Sequence, residues 1–192
     1  MPPKAKFSKT EITDAALNIV ADSGIDALTA RSLGEALGSS PRPIFTVFDS
    51  MEEVQTQVLK KAEHIYSSLV AEGLKEELPF KGVGMAYIRF AGIYPKLFQL
   101  LFMRDRLGKP DKSTILQGID ENYERILKSI EDCYLLDRKT SEDLYMHLWV
   151  YSHGIAVLIA TGVCAFTPQQ ISDMISEVFK SLIKNIKCGG KV

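Results

Sequence analysis

Between Asp143 and Asp173 the chain carries no Asp, Glu, Lys or Arg, and Leu148 to Phe166 is mostly apolar. A run of that length is either a membrane span or a helix hidden from water inside a protein. His147, Ser152, His153, Gly154, Thr161 and Gly162 lie within or beside it, and no basic flank sets an orientation. It therefore reads as a buried helix whose apolar surround comes from its own domain and from a partner subunit. No membrane is expected as a partner. A helix of this kind needs other helices around it, and nothing in the 192 residues reads as an alternating strand. The expected fold class is all-α.

The helices announce themselves by caps and stripes. Ser8 with Glu11 forms a capping box ahead of Ile12, Ala16, Ile19 and Val20, and Gly24 closes the first helix. A second short helix runs from about Thr29 to Leu37 with Leu33, Ala36 and Leu37 inward. A tight turn at Gly38 leads to a third that opens on Ser40, with Pro41 and Pro43 stiffening its start. Ser50 and Glu53 open a long helix reaching about Glu72, marked by Val54, Val58, Ala62, Ile65 and Leu69. Lys75 to Gly82 reads as a loop, Val83 to Tyr94 as a helix, and Pro95 as the start of another. After a polar loop at Gly108 to Ser113, Thr114 to Leu136 reads as one helix and Leu136 to Ser141 as a turn into the apolar helix. Thr167, Pro168 and Gln170 then open a last helix with Ile171, Ile175, Val178, Leu182 and Ile186.

The stretch Thr29 to Phe48 has the grammar of a helix-turn-helix, in which one helix braces and the next enters a DNA major groove. Composition does not advertise nucleic-acid binding. The net charge is −1, and residues 1 to 50 hold five cations (Lys4, Lys6, Lys9, Arg31, Arg42) against six acids. Any DNA contact must come from a few placed cations and helix N-termini. Thr29, Ala30 and Arg31 sit at a helix start, where free amides suit a phosphate. Arg42 is the residue expected to read a base, because a guanidinium can bond guanine bidentately. Ser39, Ser40, Phe45 and Thr46 are weaker candidates, and Lys4, Lys6 and Lys9 form either an arm along the DNA or a solvated tail.

Other chemistries find little support. His64, His147 and His153 make no metal or catalytic set, and no phosphate loop, nucleophile elbow or HExxH occurs. No catalytic residue, metal or cofactor is expected. Cys133, Cys164 and Cys188 are odd in number and widely spaced, and the N-terminus MPPKAKFSK has no apolar core, so a cytoplasmic protein with reduced thiols is expected.

In the run ALTARSLGEALGSSPRPIFTVFDSMEEV, Ala27 to Val54, glycines, cap residues and apolar positions fall in one register. The first fifty or so residues thereby resemble the TetR family of bacterial transcriptional repressors. The WxxxHG run at Trp149, His153 and Gly154 is weakly similar to one subgroup of its regulatory domains. The resemblance implies a three-helix DNA-binding head at 1–50 and a helical-bundle ligand-binding and dimerisation domain at 51–192. It also implies a homodimer through the last two long helices, a palindromic operator and a small-molecule effector. The chain departs from the family at Phe45, Val47 and Met51, where members commonly carry phosphate-touching tyrosine, polar and lysine side chains. Modest affinity and a shallow salt dependence are therefore expected. Tyr87, Phe90, Tyr94, Phe98, Phe102, Tyr123, Trp149 and His153 are the candidate pocket lining, with plain core packing as the other reading. The expected function is a ligand-responsive repressor, released from a palindromic operator by a small apolar effector. The alternative is a TetR-like helical dimer with weakened DNA reading that acts as a ligand-binding or protein-interaction module.

Overall fold

The computed structural model describes residues 6–104, 111 and 114–189, and the chain is all-helical throughout them, with no strand. The helices are α1 (Lys9–Ser23), α2 (Ala30–Ala36), α3 (Met51–Gly73), α4 (Pro79–Ile93), α5 (Pro95–Phe102), α6 (Ile115–Ile119), α7 (Tyr123–Tyr134), α8 (Arg138–Ala160) and α9 (Pro168–Lys187). Two single-turn 3₁₀ segments, Ile25–Ala27 and Ile44–Thr46, punctuate the first fifty residues. By packing, the chain divides into two units. The first is Met1–Ile65 with Tyr94–Arg104, and the second is Tyr66–Ile93 with Asp105–Val192. This is a different cut from the functional one expected at residue 50, and α3 contributes to both units.

In the first unit α1 starts at the expected capping box, Ser8 and Glu11 bonding each other's backbone N–H, and stops at Gly24 with φ of 87°. Ile12, Ala16 and Val20 are fully buried and α1 packs on α2 and α5. Thr29 caps α2 by accepting from the Ser32 N–H, while the Ser32 hydroxyl answers at the Thr29 N–H. Only Leu33 and Gly34 of α2 are buried, not Ala36 and Leu37 as the stripe predicted. The helix stops at Ala36, so those two positions already belong to its end. Gly34 is buried because the returning chain crosses it: a Cβ there would sit 3.0 Å from the Pro41 nitrogen and the Ser39 carbonyl oxygen.

The second unit is held by α4 and α8, with α7 and α9 packed against them. Three boundaries differ from expectation. α4 begins at Pro79, inside the stretch read as a loop, because proline is well tolerated in a first helical turn whose N–H groups have no partner. Thr114 to Leu136 is not one helix. It breaks at Asp120, whose carboxylate accepts from the Tyr66 hydroxyl at 2.6 Å and from the Asn122 N–H at 2.8 Å. Asn122 in turn donates its side-chain amide to Ser67 at 3.0 Å. Asp120 is 3% exposed, and a buried carboxylate without donors costs more than the turn of helix given up here. α8 begins at Arg138 rather than Ser141, capped by Asp137, which accepts from the Thr140 N–H.

α8 is not covered on all sides by its own chain. Leu144, Leu148, Ile155 and Ala156 are buried, whereas Val150 is 56% and Leu158 37% exposed, with the exposed Gly154 between them. α9 opens on the expected Thr167–Gln170 capping box, but only Ile171 and Ile175 of its stripe are buried. Val178, Leu182 and Ile186 stay half-exposed. Among the described residues no helix is long and apolar enough to cross a membrane, and no group of His, Cys, Asp and Glu could hold a metal ion.

Candidate functional site

Two places in the molecule concentrate the candidate residues, one in each unit. In the first unit α2 ends in a Schellman turn: the Ser39 N–H bonds the Gly34 carbonyl at 2.9 Å and the Gly38 N–H bonds that of Glu35 at 3.0 Å. Gly38 takes φ of 61°, the left-handed value this turn needs, so the tight turn expected at that residue is present.

Past this turn the chain does not form the α-helix opening on Ser40 that the prolines would permit. Residues 41–43 form turns and only Ile44–Thr46 is helical, as a 3₁₀ turn. Its bonds run three residues back, Ile44 N–H to the Pro41 carbonyl and Val47 N–H to that of Ile44, each at 3.0 Å. Pro41 and Pro43 do fit a helix start as far as their own rings and missing N–H groups go. Ile44 and Phe48 anchor the segment in the core.

The DNA candidates differ in exposure and in partners. Thr29, Arg31, Ser40, Arg42, Phe45 and Thr46 are exposed, and Ala30 and Ser39 are half-buried. The Thr29 hydroxyl is spent on the Ser32 amide, Arg31 pairs with Glu35 at 3.0 Å, and Thr46 donates to the Pro43 carbonyl at 2.7 Å. Lys9 pairs with Glu53 at 2.8 Å and lies over the Phe48 ring. That bond holds the Glu53 carboxyl below its usual range. Lys6 donates to the Ser39 hydroxyl at 3.0 Å, tying the chain before α1 to the turn after α2. Lys4 lies outside the described residues. Of the cations described between residues 6 and 50, Arg42 alone makes no side-chain bond or ion pair with a described residue.

The second unit contains a cavity of about 200 Å³. The start of α4 gives it Phe80, Val83 and Tyr87, α8 gives Tyr145, Leu148 and Trp149, and α9 gives Ile175 and Phe179. Tyr66 and Tyr134 complete its aromatic wall. The rings brace one another: Phe80 meets Tyr145 edge-on with centroids 5.7 Å apart, and Tyr134 packs on Phe179 at 4.9 Å. Burial pushes the Tyr66 and Tyr145 phenols well above their ordinary pKa, and the Asp120 charge pushes the same way, so both rings stay neutral.

Of the eight pocket candidates, Tyr87 and Trp149 line this cavity. His153 stands behind them, stacked on the Trp149 ring at 5.1 Å and bonded through Nδ1 to the Tyr87 hydroxyl at 2.8 Å. Its burial lowers its pKa and favours the neutral ring. Phe90 and Tyr123 are buried in the second unit without lining the cavity, Phe90 against Tyr66 and Tyr123 stacked on Tyr145. Tyr94, Phe98 and Phe102 belong to the first unit, where Phe98 packs on Phe102. Sequence reasoning missed Phe80, because its stretch reads as loop, and Tyr66, Tyr134, Tyr145 and Phe179, because aromatics on four separate helices share no local pattern. Compared with known proteins, the chain matches no family model and no curated protein.

Proposed function

We propose that this chain is a ligand-responsive, DNA-binding transcription regulator of TetR type, a cytoplasmic homodimeric repressor released from a palindromic operator by a small effector. The observation that carries this reading is Arg42. It stands exposed and unpaired with any described residue just past a Schellman turn, on a segment that two prolines stiffen, while Lys9 and Arg31 are neutralised by acids. An unpaired guanidinium on a stiff, anchored turn is suited to a base edge, since little side-chain or backbone ordering remains to oppose binding. The aromatic cavity of the second unit suits the effector. The half-exposed stripe Val178, Leu182 and Ile186 on α9, with Val150 and Leu158 on α8, suits a second copy of the chain. A two-fold dimer would impose two-fold symmetry on its operator.

A gel shift against DNA flanking the protein's own gene tests the reading. A shift is expected at low salt, weakened about tenfold or more by Arg42→Ala. A shift that ignores Arg42→Ala would remove its assignment as the base reader. The slope of log affinity against log salt is expected to be far shallower than about −10, the value for a site neutralising some eleven phosphates. One observation favours a second reading, a helical dimer that binds ligands or proteins without reading DNA. The expected recognition helix amounts to a single 3₁₀ turn, and Phe45 beside it is 47% exposed. Absence of any shift at low salt would favour that reading.

A further inference from the structure

The residues that line the cavity of the second unit carry charge of one sign, with the buried Asp120 lying behind Tyr66. Its lining includes two cations, Lys81 from α4 and Lys180 from α9, and no carboxylate. Lys81 is half-buried and Lys180 exposed, and neither forms an ion pair with a described residue. Arg138, by contrast, is shared by Glu124, Glu131 and Glu142. A cavity mouth with two unmatched ammonium groups over an aromatic interior is electrostatically incomplete, and an anion brought there loses little water while gaining two charges. Size narrows the choice further. An apolar cavity of roughly 150 Å³ accommodates a benzene ring, so about 200 Å³ takes one ring or its aliphatic equivalent with a small substituent.

We infer that the cavity binds a compact organic carboxylate, its apolar or aromatic body among Phe80, Tyr145 and Phe179 and its carboxylate held by Lys81 and Lys180. This rests on the effector reading above and sharpens it: the effector is an acid rather than a neutral apolar molecule.

Trp149 is the single tryptophan of the chain, so its fluorescence reports on the cavity directly. Benzoate is titrated into the purified protein without DNA, followed by that fluorescence and by calorimetry, with benzamide as the neutral molecule of the same shape. Saturable benzoate binding is expected, with benzamide at least tenfold weaker. In the Lys81→Ala, Lys180→Ala double variant the two are expected to bind alike, because only benzoate loses a partner. Both lysines reach the surface, so this variant leaves the core intact. Benzamide binding as well as benzoate, or no saturable binding of benzoate at all, overturns the assignment whether or not the protein binds DNA. Benzoate binding that leaves a DNA shift unchanged supports the cavity assignment and overturns its role as the effector site.

Discussion

The two candidate sites are built in opposite ways. Bonds within the segment from Thr29 to Phe48 join residues at most five apart, such as Ser32 to Thr29 and Ser39 to Gly34, while Lys6 reaches Ser39 from outside it, and the segment displays its chemistry outward. The cavity draws Tyr66, Phe80, Tyr134, Tyr145 and Phe179 from five helices and turns them inward. A local site should therefore lose function without losing stability when its display residues change, and a long-range site should lose both. The contrast also explains why single substitutions in the two units should differ in cost.

The largest effect is expected where the second unit brings backbone against backbone. Gly73 of α3 and Gly82 of α4 touch so closely that a Cβ on Gly82 would overlap the Gly73 carbonyl oxygen, and one on Gly73 would lie 2.6 Å from the Gly82 oxygen. Gly82→Ala should cost about 2–3 kcal/mol, read as a lower midpoint in urea denaturation. An unchanged midpoint would mean the crossing is looser than the structure has it.

Next comes the polar cluster that breaks α6 from α7. Tyr66→Phe removes the hydroxyl that Asp120 accepts from and should cost about 1–3 kcal/mol by the same measurement. In the first unit the comparable change is local: Thr29→Ala removes one cap from α2 and should cost about 1 kcal/mol. If Thr29→Ala proved as costly as Tyr66→Phe, the distinction between local and long-range construction would fail.

A smaller effect belongs to His153. Burial depresses its pKa below the ordinary 6.5, so folding favours the neutral ring. Above that ordinary value both folded and unfolded chains hold it neutral and stability is intact. As pH falls below it the unfolded chain takes up the proton first, and stability declines until the folded pKa is passed. The drop in melting temperature between pH 7.5 and 5.5 should therefore be smaller in His153→Gln than in the parent, and an equal drop in both would remove His153 as its source. The smallest stability effect is expected at Arg42→Ala, within about 0.5 kcal/mol, because the side chain is exposed and unpaired. Coupled with a weakened gel shift, that near-zero would separate display from scaffold.

What the amino-acid sequence determined by itself was whatever lies within about one helical turn. The capping boxes at Ser8 and Thr167, the cap at Thr29, the stops at Gly24 and Gly38, the start at Pro95 and the all-α class were legible, since each depends on a hydroxyl, a glycine or a proline acting on its immediate neighbours. The stripe of α9 was legible too, though not that half of it would remain uncovered. Tertiary structure decided the rest. Asp120 breaks a good helical pattern only because Tyr66 and Asn122 hold its carboxylate. The aromatics grouped as candidate pocket lining between Tyr87 and Phe102 part company at Tyr94, with Tyr87 lining the cavity and Phe98 joining the first unit. The physical reason is range: a cap is satisfied by atoms three residues away. A cavity is the space left over when helices distant in sequence have finished packing, and no short window of sequence contains it.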